Sequence, residues 1–288
     1  MKKSKLRFWL FLAPALISFG IIVFIPMISG FFYAFTDWNG ISSDLNFVGF
    51  QNFITIFTKD STFIHAFLFT AAFAVIVVIL VNGIGLLLAI LVTQKFKGST
   101  FLRGIFFMPN LIGGLLLGFT WQFIFTNVFA AIGQFFHIPW LEGWLSTMAT
   151  GFWGLVILTV WQLSGYMMII YIAQIQTIPA SLKEAATIDG ASSWQTFKHV
   201  TLPLMMPAFS IGLFLSVSNS FKMFDQNLAL TGGGPHRSTE MLALNIYQTA
   251  FNSSQFGLAQ AKAIVFLIIV AAIGLTQLFL TKRREVEM

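Results

Sequence analysis

No cysteine occurs in the 288 residues, which excludes a disulfide framework, a thiolate metal site and a thiol nucleophile. Charge is scarce as well. Asp, Glu, Lys and Arg make up 9% of the chain against 57% hydrophobic residues, too few to cover a soluble surface of this size. His65, His137, His199 and His236 are scattered without ligand spacing, so metal catalysis has no candidate centre. No Gly-x-x-x-x-Gly-Lys-Ser/Thr segment is present, and the run Gly232-Gly233-Gly234-Pro235 lacks the lysine and hydroxyl that a phosphate cradle needs. Such a chain does not hydrolyse a nucleotide itself. Any energy it uses comes from a partner or an ion gradient.

What the chain has is apolar length. Six stretches reach the roughly 20 residues that cross a bilayer: 8–33, 67–92, 105–125, 152–172, 207–224 and 261–280. The fifth is interrupted by Ser216, Ser218, Asn219, Ser220 and Lys222. An all-α polytopic membrane protein with six transmembrane helices is predicted. The first 19 residues have the basic start of a signal peptide, but the apolar run continues to Tyr33, so an uncleaved first span is expected.

Charge follows this layout. Most of the 16 Lys and Arg residues fall at the two termini, between spans two and three, and after span four. Lys59, Lys222, Arg237 and Lys262 fall on the other side. The bias puts both termini and the segment after span four in the cytoplasm. It traces topology, so no nucleic-acid partner is inferred from the basic balance.

That segment after span four is the one long polar interruption of helical character. Pro179 stands where a helical turn can begin, Leu182, Ala185, Ala186 and Asp189 recur at helical spacing, and Gly190 can end the turn in a left-handed conformation. A second amphipathic piece, 192–201, gathers Trp194, Phe197 and Val200 before Pro203, which is expected to close it.

Glu184-Ala185-Ala186, then Gly190, then Val200-Thr201-Leu202-Pro203, resembles the EAA loop of ABC importer permeases, with Val200 where the family usually has Ile. Val48-Gly49-Phe50-Gln51-Asn52-Phe53 is similar to a sugar-permease signature in which Leu stands in place of Phe50. Leu230-Thr231-Gly232-Gly233-Gly234-Pro235 resembles a segment of carbohydrate permease subunits that pair with a second, different permease. The resemblance to carbohydrate ABC importer permeases covers essentially the whole chain. It implies a type I ABC importer permease fold as a single transmembrane domain over 1–288, with the coupling loop at 177–205. In that loop Glu184, Ala185, Ala186, Asp189, Gly190, Leu202 and Pro203 would contact the ATPase.

The implied partners are a second permease subunit, a cytoplasmic ABC ATPase dimer, an extracellular solute-binding protein, a sugar substrate and membrane lipid. ATP and Mg belong to the ATPase, and no cofactor is expected in this chain. The implied location is the cytoplasmic membrane of a bacterium or archaeon.

Pro109 should kink the third span, and backbone groups freed within a membrane must face protein or a watery cavity; Asn110 is placed to line such a path. Thr159, Gln162, Leu163 and Tyr166 share one face of span four, and Ser216, Asn219, Ser220 and Met223 share one of span five. Polar groups at membrane depth point into a bundle or cavity. They suit either a hydrogen-bonding pocket or contacts between spans. The resemblance implies substrate contacts at Asn110, Gln162, Tyr166, Asn219, Ser220 and Met223. With no charged constellation there, a neutral polyhydroxylated solute such as an oligosaccharide fits best. The alternatives are a glycerol-phosphate-type permease and a gradient-driven secondary transporter. The latter would want a buried acid, and Asp225, the one candidate, is expected to pair with Lys222 at the interface.

Overall fold

The computed structural model describes residues 2–42, 44–94 and 97–282, with side chains from Phe8 to Thr281. About 80% of it is helix. Among the described residues the only β pairing is an isolated bridge between Thr36 and Phe47.

The chain begins with α1 (Lys2–Phe19) and α2 (Ile25–Tyr33), joined through a π-helical turn at Gly20–Phe24. This wider turn precedes Pro26, so the bond that proline cannot donate is lost where the helical ladder is already opened, and the helix runs on. Next come α3 (Gln51–Thr58), α4 (Ser61–Thr93) and α5 (Ser99–Phe107), then a 3-10 turn at Met108–Leu111. α6 (Gly114–Phe123) runs through a π turn at Ile124–Val128 into α7 (Phe129–Phe136), and α8 (Met148–Thr177) follows. α9 (Ala180–Ile188), α10 (Ser193–Thr196), a π turn at Phe197–Thr201, α11 (Leu202–Leu204) and α12 (Met206–Phe221) follow. α13 (Asp225–Leu230), α14 (Leu242–Tyr247) and α15 (Phe256–Lys282) are the last elements among the described residues.

Among the described residues, five continuous stretches are long and apolar enough to cross a membrane: Phe8–Tyr33, Ser61–Thr93, Gly114–Phe136, Met148–Thr177 and Phe256–Thr281. A sixth exists if Ser193–Leu204 and Met206–Phe221, which meet at a 66° bend, are taken as one broken span. Two sequence expectations shift here. The span expected over 105–125 does not start at 105: Pro109 breaks the helix rather than kinking it, and Ile112 and Gly113 adopt extended backbone before the long helix starts at Gly114. Nor does Pro203 close the second piece of the loop. The π turn opens the hydrogen-bond ladder just ahead of it, so the missing donor is tolerated and helix continues to Leu204, with the bend falling beyond.

The chain divides into two compact units. One holds residues up to Ile64 together with Asn245–Ile268. There the Asn52 amide donates to the Ala34 and Thr36 carbonyls at 2.9 and 2.8 Å, fixing the loop after α2, and Trp38 stacks on Tyr33 at 4.3 Å.

The other unit holds His65–Leu244 and the chain from Ile269 on. α8 is its axis: 67% of its apolar window is buried, against at most 33% in the other continuous spans. Leu155, Leu158, Met167, Met168 and Tyr171 of α8 pack with Phe73, Val77 and Val81 of α4 and Leu117 of α6. Since lipid is as apolar as these side chains, close packing and interhelical hydrogen bonds hold such helices together. Gly165 shows the closeness needed. A methyl placed there would lie 1.7 Å from the Phe106 carbonyl oxygen, so α5 crosses α8 where no side chain fits.

Candidate functional site

The break at Pro109, the middle of α8 and the end of α12 enclose a cavity of about 500 Å³. Asn110 enters from the 3-10 turn. Thr159, Gln162, Leu163 and Tyr166 enter from one face of α8, and Asn219, Lys222 and Met223 from the end of α12 and just beyond it. Leu215 of α12 and Gln226 of α13 complete the lining. Four-residue spacing on a helix puts side chains one above another, which is why the polar stripes of two helices can face one space.

Five of the six residues expected at a substrate site, Asn110, Gln162, Tyr166, Asn219 and Met223, line this cavity. Ser220 does not. It is fully buried and its hydroxyl donates to the Ser216 carbonyl at 2.7 Å, one turn back in its own helix. Its polarity is spent inside α12, a local bond common to serine in helices.

Five lining residues lie outside the six expected contacts: Thr159, Leu163, Leu215, Lys222 and Gln226. Gln226 donates to Gln162 Oε1 at 2.9 Å, so these two amides form a bridge between α13 and α8. Lys222 lines the cavity and forms no ion pair with Asp225. The acid sits in the first turn of α13, where it meets the positive end of the helix dipole, while Lys222 caps α12. The cavity therefore carries one cation where a neutral lining was expected. The signal for Lys222 was present in its spacing, three residues beyond Asn219. Gln226 carried none, because α13 folds back onto α6 and α8 through tertiary contacts.

Two other cavities lie elsewhere in the same unit. A larger one of about 710 Å³ is lined by apolar side chains such as Leu80, Ile84, Trp153 and Ile157. Another, of about 630 Å³, lies between the inner face of α9 and the adjoining ends of α4 and α8.

The loop that links α8 to α12 is built by strong local signals. Ile178 leaves α8 in extended backbone, Pro179 caps α9, and Gly190 ends it at φ +78°. Ser192 and Gln195 form a reciprocal capping box at the start of α10. Glu184, Ala185, Asp189 and Gly190 are exposed, and Ala186, Leu202 and Pro203 are half-buried. Beside them Ile188 and Trp194 show 86% and 69% of their surface, large apolar areas left open to solvent among the described residues. At the bend, the Gln174 amide of α8 donates to the Leu204 carbonyl at 2.9 Å, so the loop is tied to both helices that line the cavity.

Residues 82–286 match the family described as binding-protein-dependent transport system inner membrane component. The probable starch degradation products transport system permease protein AmyD of Thermoanaerobacterium thermosulfurigenes is 53% identical over 286 residues, 99% of this chain and 97% of that protein. The multiple sugar-binding transport system permease protein MsmF of Streptococcus mutans is 35% identical, covering 96% of each chain. The fold also matches a chain in the crystal structure of a bacterial alginate ABC transporter in complex with an alginate pentasaccharide-bound periplasmic protein. The TM-score is 0.83 at 21% identity, over 98% of this chain and 96% of that one.

Proposed function

We infer the function from one premise: the chain belongs to the family of binding-protein-dependent transport system inner membrane components. It is a permease subunit of an ATP-driven importer and carries an oligosaccharide through the membrane by alternating access. The observation that supports this most is the cavity, in which Asn110, Tyr166, Asn219 and Lys222 present polar groups with no hydrogen-bond partner among the described residues. These groups suit the hydroxyls of a sugar. The Tyr166 ring, Leu163, Leu215 and Met223 suit its apolar faces. Starch degradation products are the first class to test, since the relative at 53% identity is named for them.

The energy would enter through α9. With both termini and the 177–205 loop in the cytoplasm, as the charge bias favours, Glu184, Ala185, Ala186, Asp189 and Gly190 form a docking helix for an ABC ATPase dimer, and Leu202 and Pro203 set its exit. ATP and Mg are held by that dimer, which does the hydrolysis. A second, different permease subunit completes the pathway, and an extracellular solute-binding protein delivers the sugar. When the ATPase pair closes, α9 moves as a lever and shifts α8 and α12, the two helices that line the cavity.

The test is to co-express the chain with its companion permease, an ATPase and a binding protein, purify by a tag on this chain, reconstitute, and assay ATP hydrolysis against a panel of oligosaccharides. Hydrolysis stimulated by one loaded binding protein is expected. Solute flux that instead follows an imposed ion gradient, with no ATPase co-purifying, contradicts the reading.

A further inference from the structure

Between the loop and the cavity, three helices are joined by a hydrogen-bond chain that neither site uses. The Tyr171 hydroxyl of α8 donates to Asn82 Oδ1 of α4 at 2.5 Å. Asn82 Nδ2 donates to Ser216 Oγ of α12 at 2.9 Å and to the Val78 carbonyl at 2.7 Å. Ser216 in turn donates to the Gly212 carbonyl at 2.7 Å. Tyr171 and Ser216 are fully buried and Asn82 is 6% exposed. Both ends of the Asn82 amide are satisfied, and satisfied by different helices.

The close approach is built in. A methyl on Gly212 would lie 2.7 Å from both Asn82 Oδ1 and Tyr171 Oη, so only glycine lets α12 lie against the pair. The position along the helices matters too. Tyr171 lies just over one turn beyond Tyr166 and about two turns before Ile178, and Ser216 stands between Leu215 and Asn219. The chain of bonds thus crosses the two helices that run from the loop to the cavity.

We propose that Asn82, Tyr171 and Ser216 form a latch that holds α8 and α12 in the resting arrangement until the loop is moved; this rests on the importer reading above. A hydrogen bond at 2.5–2.9 Å is lost when its partners slide by about 1 Å, and in a bilayer no water replaces it. The contact is therefore made or broken, with little between. Such a two-state element is what coupling between separated sites requires, where proximity alone does not suffice. Asn82, Tyr171 and Ser216 are positioning residues. None of them lines the cavity.

The experiment uses the complete reconstituted transporter, with its companion permease, ATPase and binding protein, and compares Tyr171→Phe and Ser216→Ala with the unaltered chain. ATP hydrolysis in the absence of sugar should rise about threefold for each bond removed, the size expected of one interhelical hydrogen bond in a membrane. ATP consumed per sugar imported should rise with it, at unchanged KM for sugar. Ser216→Thr, which keeps the hydroxyl, should behave as the unaltered chain. Basal hydrolysis that stays constant or falls, in complexes that assemble normally, overturns the latch and leaves a structural contact. If Tyr171→Phe fails to assemble, Ser216→Ala against Ser216→Thr decides. An unaltered complex with no ATP-dependent uptake would instead overturn the importer reading, whatever the variants do.

Discussion

The Lys262 ammonium lies 2.7 Å from Asp60 Oδ2, and both side chains are withdrawn from solvent, at 2% and 14% exposure. Asn245 Oδ1 and Thr249 Oγ1 accept from the same ammonium at 2.9 and 2.7 Å, and the Phe63 ring lies beneath it. One charged knot thus ties α15 to the start of α4 and the helical segment around Asn245. Removing one partner strands the other charge in a dry site, which costs about 3–5 kcal/mol. Lys262→Met is expected to lower the thermal unfolding midpoint of the detergent-solubilised protein, and Asp60→Asn combined with Lys262→Met to recover much of the loss. A single variant as stable as the unaltered protein would contradict this.

The same knot sets an acid limit. Burial pushes the Asp60 carboxyl up, but hydrogen bonds from Lys262, Thr62 and the Phe63 N–H, with the charge of Lys262, together bring it below its ordinary 3.8. A group whose folded value is depressed stabilises the fold above its unfolded value and loses that contribution as pH falls through the folded one. Unfolding free energy should therefore be flat in this term near neutrality and decline as pH falls below about 4. Asp60→Asn should remove that part of the slope, which a pH series of melting curves reads directly.

Gly165→Ala puts a methyl 1.7 Å from the Phe106 carbonyl. Backbone cannot yield as a flexible side chain does, so overpacking of about 1–3 kcal/mol or more is expected. Less folded protein and a lower melting midpoint should result, while Gly190→Ala, in open space at φ +78°, should lose less and leave the spans intact.

In the cavity, Lys222→Met removes the one cationic donor. A hydrogen bond to a charged group contributes about 1.5–3 kcal/mol, so KM for the sugar should rise roughly ten-fold or more, with complex assembly unchanged. Tyr166→Ala should act in the same direction by removing both ring and hydroxyl. Uptake kinetics indifferent to both would show that the cavity is not where the sugar sits.

Much of this was legible in the chain. The helical architecture followed from six apolar runs, and the ends of α9 from Pro179 and Gly190, because these signals are local. The polar stripe of α8 was equally readable, since Thr159, Gln162 and Tyr166 share a face by helical period alone. What was hidden depended on tertiary contact. Ser216 and Ser220 look identical in spacing to Asn219 and Met223, yet one reaches Asn82, distant in sequence, and the other bonds its own helix. The start of the third span differs because hydropathy runs smoothly past Pro109, whereas the α-helix gives way there to a 3-10 turn and the backbone turns extended at Ile112 and Gly113.

Transport through the cavity is proposed to be driven by movement of the exposed α9 loop. The most direct test is uptake of labelled starch-derived oligosaccharide into vesicles holding the complete transporter, with ATP supplied to the ATPase, for the unaltered chain and for Glu184→Ala. Glu184 is exposed and forms no ion pair among the described residues, so its loss should not unfold the chain. ATP-dependent uptake by the unaltered chain is expected, and for Glu184→Ala a fall of about ten-fold or more in sugar moved per ATP hydrolysed, the scale of one lost interface anchor. Equal uptake per ATP in the two proteins, with the complex intact, would contradict it.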